Sequence, residues 1–256
     1  MANSRLYNTE AIVLKAKDMG EADRLLILFT PYRGKLKAVV RGARRSKSKL
    51  GGHCQELSHC QMLLAQGKTF DVVTQCQSLQ SYLPLRRELG RLSQALYMCE
   101  LVDDFSPEGL ESLSLFRLLV SCLEWLCEAR DGDVVLRYFE LQLLGLSGYR
   151  PQLLFCLGCH SPLHPVRNYF TPYGGVLCPR CQYTNPQSYS LSVAGLKVMR
   201  FLQEAGIPQA RRLRIDPEVN LEVGSLLRAA VIFCTEREVK SGVWLDWLKA
   251  EMPQAE

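Results

Sequence analysis

The sequence predicts an α+β, multidomain chain: a small five-stranded β-barrel at the N-terminus, then an all-α region carrying an inserted four-cysteine zinc module. Three observations carry this. Apolar residues recur with a period near two up to about residue 81 and near 3.6 from residue 85 onward. Two C-x2-C pairs sit inside a Pro- and Gly-rich stretch within the helical part. Most of the positive charge is packed into the first third of the chain.

The β reading rests on five short segments. Ala11-Ile12-Val13-Leu14 is strand-like and precedes a turn at Gly20. Arg24 to Thr30 stops at Pro31, and Tyr32-Arg33-Gly34 turns the chain into Gly34–Arg41. There Leu36, Ala38 and Val40 point one way, and Lys35, Lys37, Val39 and Arg41 the other. Leu57–Ala65 and Phe70–Leu79 flank a Gln66-Gly67-Lys68 turn. Five strands in so short a span close most simply as a barrel.

The period then changes. Leu85, Leu89, Leu92, Leu96 and Cys99 lie at helical spacing, and Ser106-Pro107-Glu108 reads as an N-cap with proline at the first position of a second helix. A third helix is expected over about 134–146, stopped by Gly148 and Pro151. Helical periodicity returns over 190–205 and 221–238, with a short tail at Trp244–Leu248 that reads as a packed helix end. The expected division is 1–81, 82–152, 153–187 and 188–256.

Composition excludes several classes. The 256 residues are 47% hydrophobic and 22% charged, which is neither disordered nor low-complexity. No apolar run approaches the roughly 18 residues that span a bilayer. The opening segment has only the run Ala11–Leu14 before Lys15 and does not read as a secretory signal. A cytoplasmic protein is therefore expected, with its 11 cysteines as thiols or metal ligands.

Cys156-Leu-Gly-Cys159 and Cys178-Pro-Arg-Cys181 have the spacing of a four-thiolate zinc site. Four sulfurs fill a tetrahedral shell, so a single structural ion is expected; a redox pair is the competing reading. His160 and His164 read as bystanders, and the other seven cysteines as packing residues, Cys54, Cys60 and Cys76 among them. His53-Cys54 and His59-Cys60 fit no standard metal pattern.

Residues 1–81 hold 13 Lys/Arg against 6 Asp/Glu, whereas residues 82–150 hold 7 against 11. Arg33, Lys35, Lys37, Arg41, Arg44, Arg45, Lys47 and Lys49 place eight cations in seventeen residues with no acid. Arg24 extends the strip. Such a strip suits a phosphate backbone, because each contact releases condensed counterions; the plainer alternative is a solvated charge run. Aromatics are few here (Tyr7, Phe29, Tyr32 and Phe70), which suggests a grip on phosphates that leaves base edges free. Asp18, Glu21 and Asp23 read as a polar turn rather than a metal cluster. No phosphate-binding G-x-x-x-x-G-K-[ST] loop and no nucleophile–base set is present, so no enzyme is expected. A zinc-ribbon enzyme acting on nucleic acid and a pure interaction scaffold are the rival readings.

Several motifs in order resemble the RecO family of bacterial recombination mediators. They are Gly20-Glu21-Ala22-Asp23-Arg24, Phe29-Thr30-Pro31-x-x-Gly34-Lys35, Ala38-x-x-Arg41-Gly42-Ala43-Arg44-Arg45, Leu50-Gly51-Gly52, the Arg137–Gly145 helix, and Gly148-Tyr149. The resemblance implies an N-terminal OB-fold, a helical domain and a zinc insert. It also implies a non-enzymatic, nucleoid-associated role in DNA repair. Such a protein binds single- and double-stranded DNA, anneals complementary strands, and acts with RecR to help load RecA onto DNA coated by single-stranded-DNA-binding protein. It further implies that the acidic tail of that coat protein docks on the helical domain, where Arg137 is a candidate contact.

Overall fold

The computed structural model describes residues 5–46, 48 and 50–251. The chain divides into two compact units. One comprises residues 1–127 with 241–256, the other residues 128–240.

In the first unit five strands close into a barrel: β1 (Leu6–Met19), β2 (Asp23–Thr30), β3 (Gly34–Val40), β4 (His59–Ala65) and β5 (Asp71–Gln80). Their order is β1-β2-β3-β5-β4, and β1 closes the ring by pairing with β4 through its first half and β2 through its second. A register shift between Val13 and Lys15 bends β1 where it changes partner. Only β3 and β5 run parallel. The five-strand arrangement matches the expected OB-type barrel. Alternate residues fill it: Ala11, Val13, Leu26, Leu28, Ala38, Val40, Cys60, Met62, Leu64 and Val73 are buried in one cluster.

The tight β2–β3 turn depends on Gly34. Its φ is +57°, and a Cβ there would sit 1.9 Å from the Leu110 carbonyl oxygen. Thr30 Oγ1 donates to the Gly34 carbonyl and accepts from the Arg33 N–H, closing the turn.

Three helices follow: α1 (Leu83–Arg87), α2 (Leu89–Phe105) and α3 (Leu113–Glu128). The extended backbone at Glu88 separates α1 from α2, where sequence periodicity suggested one run. The segment expected to open a helix at Ser106 instead ends one. The Ser106 N–H donates to Val102 O, and Gly109, at φ +74°, donates its N–H to Lys35 O, so Pro107–Gly109 run along the edge of β3. Helix α3 starts only at Leu113.

The last helix, α8 (Lys240–Glu251), belongs to this unit. Ser241 binds the Glu100 carboxylate through its N–H and hydroxyl, and Trp244 Nε1 donates to Ser93 Oγ at 3.1 Å. Leu245 and Leu248 are buried. Trp244 and Trp247 stack on one another with centroids 4.8 Å apart.

In the second unit, α4 (Gly132–Leu146) is capped by Asp131 and packs against α5 (Val193–Glu204) and α7 (Pro217–Thr235). Helix α5 begins after Ser192, whose hydroxyl accepts from the Gly195 N–H, and a four-residue turn of helix, α6 (Ile207–Ala210), precedes α7. Between α4 and α5 lies a three-stranded sheet of β6 (Asn168–Thr171), β7 (Gly175–Leu177) and β8 (Tyr189–Leu191), in the order β7-β6-β8. Residues 190 and 191, read from periodicity as helical, form the edge strand β8. Among the described residues no helix is long and apolar enough to cross a membrane.

Candidate nucleic-acid interface and metal centre

On β3 the expected alternation is present, with Leu36, Ala38 and Val40 packed inward. The outward lysines have different fates. Lys35 Nζ lies 2.8 Å from Asp103 Oδ1 on α2, and Lys15 Nζ on β1 lies 2.7 Å from Asp103 Oδ2. The Lys35 and Asp103 side chains are only 16% and 13% exposed, so this charge is spent on holding α2 to the barrel. Burial pushes Asp103 upward, but hydrogen bonds from Lys15 and Lys35 outweigh it and leave the carboxyl below its usual range. Lys15 shows the mirror effect: burial lowers it, the Asp103 bond more than compensates, and it ends above the ordinary lysine value. Lys37 pairs at 2.5 Å with Glu108, both groups open to solvent.

At the C-terminal end of β3 the chain meets the β1–β2 turn. Asp18 takes Arg24 Nε at 3.5 Å and Arg44 Nε at 3.3 Å, and Asp23 Oδ1 accepts the Gly42 N–H at 2.8 Å. Arg44 also donates to the Gly20 and Glu21 carbonyls. Asp18 and Asp23 thus pin the basic loop through their carboxylates, whereas Glu21 contributes only its carbonyl. Gly51 is needed for the loop to close, since a Cβ there would lie 2.2 Å from Ala43 O. Arg41 and Arg45 are exposed and have no acidic partner among the described residues. Lys47 and Lys49 lie outside the described residues.

Arg33 sits at the other end of β3, about 23 Å away along a seven-residue strand. Its guanidinium carbon is 3.8 Å from the centre of the Tyr7 ring. The strip therefore resolves into two groups: Arg24, Arg41, Arg44 and Arg45 at one end, Arg33 at the other.

The insert forms a compact thiol cluster. The Sγ atoms of Cys156, Cys159, Cys178 and Cys181 all lie within 4.8 Å of one another. The first knuckle is a tight turn in which the Cys156 N–H donates to Ser161 O and the His160 N–H donates back to Cys156 O. The second follows β7 directly, with the Cys178 N–H donating to Cys156 Sγ at 3.2 Å. Gly158 leaves room for the opposite knuckle: a Cβ there would come to 3.0 Å from Cys181 Cβ. Burial pushes Cys156 up, but backbone N–H groups from Cys178, Cys159 and Gly158 hold it below the usual thiol range. The Ser161 N–H likewise brings Cys159 down to about 6, whereas Cys181, bonded to the Cys178 thiol, is pushed up to about 12. Four convergent sulfurs with backbone donors fit a tetrahedral soft cation, which replaces the shared thiol protons on binding. His160 and His164 are exposed and stand outside the set.

Family models cover both halves of the chain. The family model "Recombination protein O N terminal" matches residues 1–82, and "Recombination protein O C terminal" matches residues 86–242. A DNA repair protein RecO from Dehalococcoides mccartyi is 40% identical over 243 residues, covering 94% of this chain and 96% of its own. Those from Roseiflexus sp. and Symbiobacterium thermophilum are 39% and 36% identical, covering 94% and 96% of this chain and 86% and 98% of their own.

The chain belongs to the RecO family.

RecO is a non-enzymatic family of DNA repair mediators. RecO membership also bears on Arg137. Its side chain is almost wholly buried in α4, with Nε 3.2 Å from the fully buried Glu140 carboxylate. Its guanidinium lies where a Cβ on Gly224 of α7 would be, 2.0 Å from Nη1. Arg137 thus joins α4 to α7 and offers no charge at the surface, contrary to its reading as a partner contact. The alternation of β3 could be read from sequence; Asp103, which pairs with Lys35, and Lys15, which shares that carboxylate, could not. They lie 68 and 20 residues from Lys35, and no local pattern links them.

Proposed function

We propose that this RecO-family chain is a recombination mediator. It binds single- and double-stranded DNA, anneals complementary strands, and acts with RecR to help load RecA onto DNA coated by single-stranded-DNA-binding protein. The observation that carries the reading is the cluster of arginines where the β1–β2 turn meets the loop after β3. Arg41 and Arg45 are open to solvent there, and Arg24 and Arg44 are fixed by Asp18. Fixed cations beside exposed, unpaired ones suit a phosphate backbone, and a barrel that holds phosphates leaves base edges free to pair.

DNA contacts are assigned to Arg24, Arg41, Arg44 and Arg45, to Lys47 and Lys49, which follow them in sequence, and to Arg33 and Lys37 as outlying contacts. Lys35 is withdrawn from that set by its bond to Asp103. The insert is assigned one structural zinc ion on Cys156, Cys159, Cys178 and Cys181, closed to substrate because four sulfurs complete the shell. The tail of single-stranded-DNA-binding protein is assigned to the helical region at residues other than Arg137. The protein is placed in the cytoplasm with the nucleoid.

The test is annealing of complementary oligonucleotides by the full chain and by an Arg41→Glu, Arg44→Glu, Arg45→Glu variant. Loss of annealing in a variant that still folds supports the reading. Undiminished annealing overturns it.

A further inference from the structure

We infer that the cysteine insert carries a base-stacking site for single-stranded DNA, with Tyr183 as an open platform and a cleft beside Tyr173 that takes one base. This site presupposes the DNA reading proposed above and differs from the barrel's in holding bases rather than phosphates.

The rings that the barrel lacks are gathered here. Residues 1–81 contain four aromatics, whereas residues 149–189 contain seven. Tyr183 is 88% exposed, Tyr173 51% and Tyr189 48%. So much open ring surface in one short stretch is the composition of a stacking platform, because every base has a face to offer it.

The charge pattern selects a nucleic acid as the occupant. No Asp or Glu lies between Glu140 and Glu204, so a phosphate backbone meets no carboxylate on the insert. Glu204 itself is paired with Arg150 at 2.5 Å. Arg167 and Arg180 are exposed and have no acidic partner among the described residues. Four thiolates around a divalent ion would leave two negative charges, which these arginines offset. Rings, not net charge, therefore carry the recognition.

Local geometry joins one of these cations to the platform. The Cys181 N–H donates to Cys178 O at 2.9 Å, and the Thr184 N–H to Cys181 O at 3.0 Å. Such tight turns align side chains three residues apart, which sets Arg180 beside Tyr183. A base stacked on Tyr183 would thus have a guanidinium near its phosphate.

The cleft has a volume of about 150 Å³ and is walled by Tyr149, Pro151, Phe170, Tyr173 and Phe233. Cavities of about this size take up a benzene ring, so the ring of one pyrimidine can enter. Tyr173 is held for this. Its ring meets Phe233 edge-on with centroids 4.5 Å apart, and its hydroxyl donates to Gln187 Oε1 at 2.6 Å. Asn185 Nδ2 donates to Thr171 Oγ1 at 3.0 Å, which ties the segment after Tyr183 to the turn that carries Tyr173. A ring already fixed loses little freedom when a base stacks on it.

The test is photocross-linking of the full chain to an oligothymidylate carrying single iododeoxyuridines, with peptide mapping, alongside anisotropy titration of the same strand. Cross-links are expected at Tyr183 and Tyr173. Tyr183→Ala should weaken single-strand binding roughly 5- to 150-fold while leaving the salt slope and the duplex affinity unchanged. Tyr183→Phe, which keeps the ring, should bind as the wild type does. Cross-links confined to the barrel, or a Tyr183→Ala affinity equal to that of the wild type, overturn the site and leave the barrel's DNA reading standing. A chain that binds no single-stranded DNA overturns both. The wild-type cross-link map decides this even if a variant does not fold.

Discussion

Lys35 and Asp103, one on a barrel strand and one on the helix laid over it, form an ion pair at 2.8 Å that is largely closed to solvent. It converts a residue of an apparent DNA-binding strip into part of the fold, and it has consequences for stability. Asp103→Ala leaves Lys15 and Lys35 without their shared partner. A broken buried pair costs about 3–5 kcal/mol, and the 32% exposure of Lys15 brings the expected loss to about 2 kcal/mol. Urea denaturation measures it. In the wild type the pair's contribution is complete above the ordinary carboxylate range, because Asp103 titrates below its unfolded value. It fades as pH falls through that lowered value. The difference in stability between wild type and Asp103→Ala should therefore shrink in acid and not between pH 6 and 8.

DNA binding should separate the lysine from the arginines. Arg41→Ala and Arg45→Ala should each flatten the plot of log affinity against log salt by roughly 0.7–0.9. Lys35→Ala should leave the slope of the folded protein unchanged while lowering its unfolding midpoint. Anisotropy titration of a labelled oligonucleotide reads the first effect, and thermal melting the second.

In the insert, Cys156→Ser and Cys178→Ser should each abolish stoichiometric metal binding, measured by elemental analysis of purified protein. Gly158→Ala should weaken it, because the added methyl presses on Cys181 at 3.0 Å. Chelation should destabilise the region around β6 and β7 selectively, seen as faster amide exchange at Phe170 and Val176.

Arg137→Ala should destabilise the helical unit by about 3–5 kcal/mol, since it removes an ion-pair partner of the buried Glu140 carboxylate. Gly224→Ala should also destabilise it, by forcing the guanidinium out of its place against α7. Both are read as lower melting temperatures. A partner contact at the surface would show neither effect.

The barrel was legible because its signals are local: period two along β3, a stop at Pro31, a turn at Gly34. The four-thiol cluster was legible too, since the C-x2-C spacing marks the two pairs that the fold then brings together. What sequence misjudged depends on distant chain. Ser106-Pro107 has the composition of a helix start, but a bond from Gly109 to Lys35 holds this stretch along β3. Lys35 looks free until Asp103 is placed against it. Arg137 looks like a surface residue until α7 supplies the glycine that makes room for it. The family resemblance supplied the proposed function, and the side-chain geometry then sorted which charges are open to solvent to serve it.

The measurement closest to the central claim is the affinity of the full chain for single-stranded DNA across a salt series. Several phosphate contacts by Arg24, Arg41, Arg44, Arg45 and their neighbours predict a steep, linear fall of log affinity with log salt. An affinity that is absent at low salt, or that does not change with salt, would contradict the assignment of this barrel as a phosphate-binding surface.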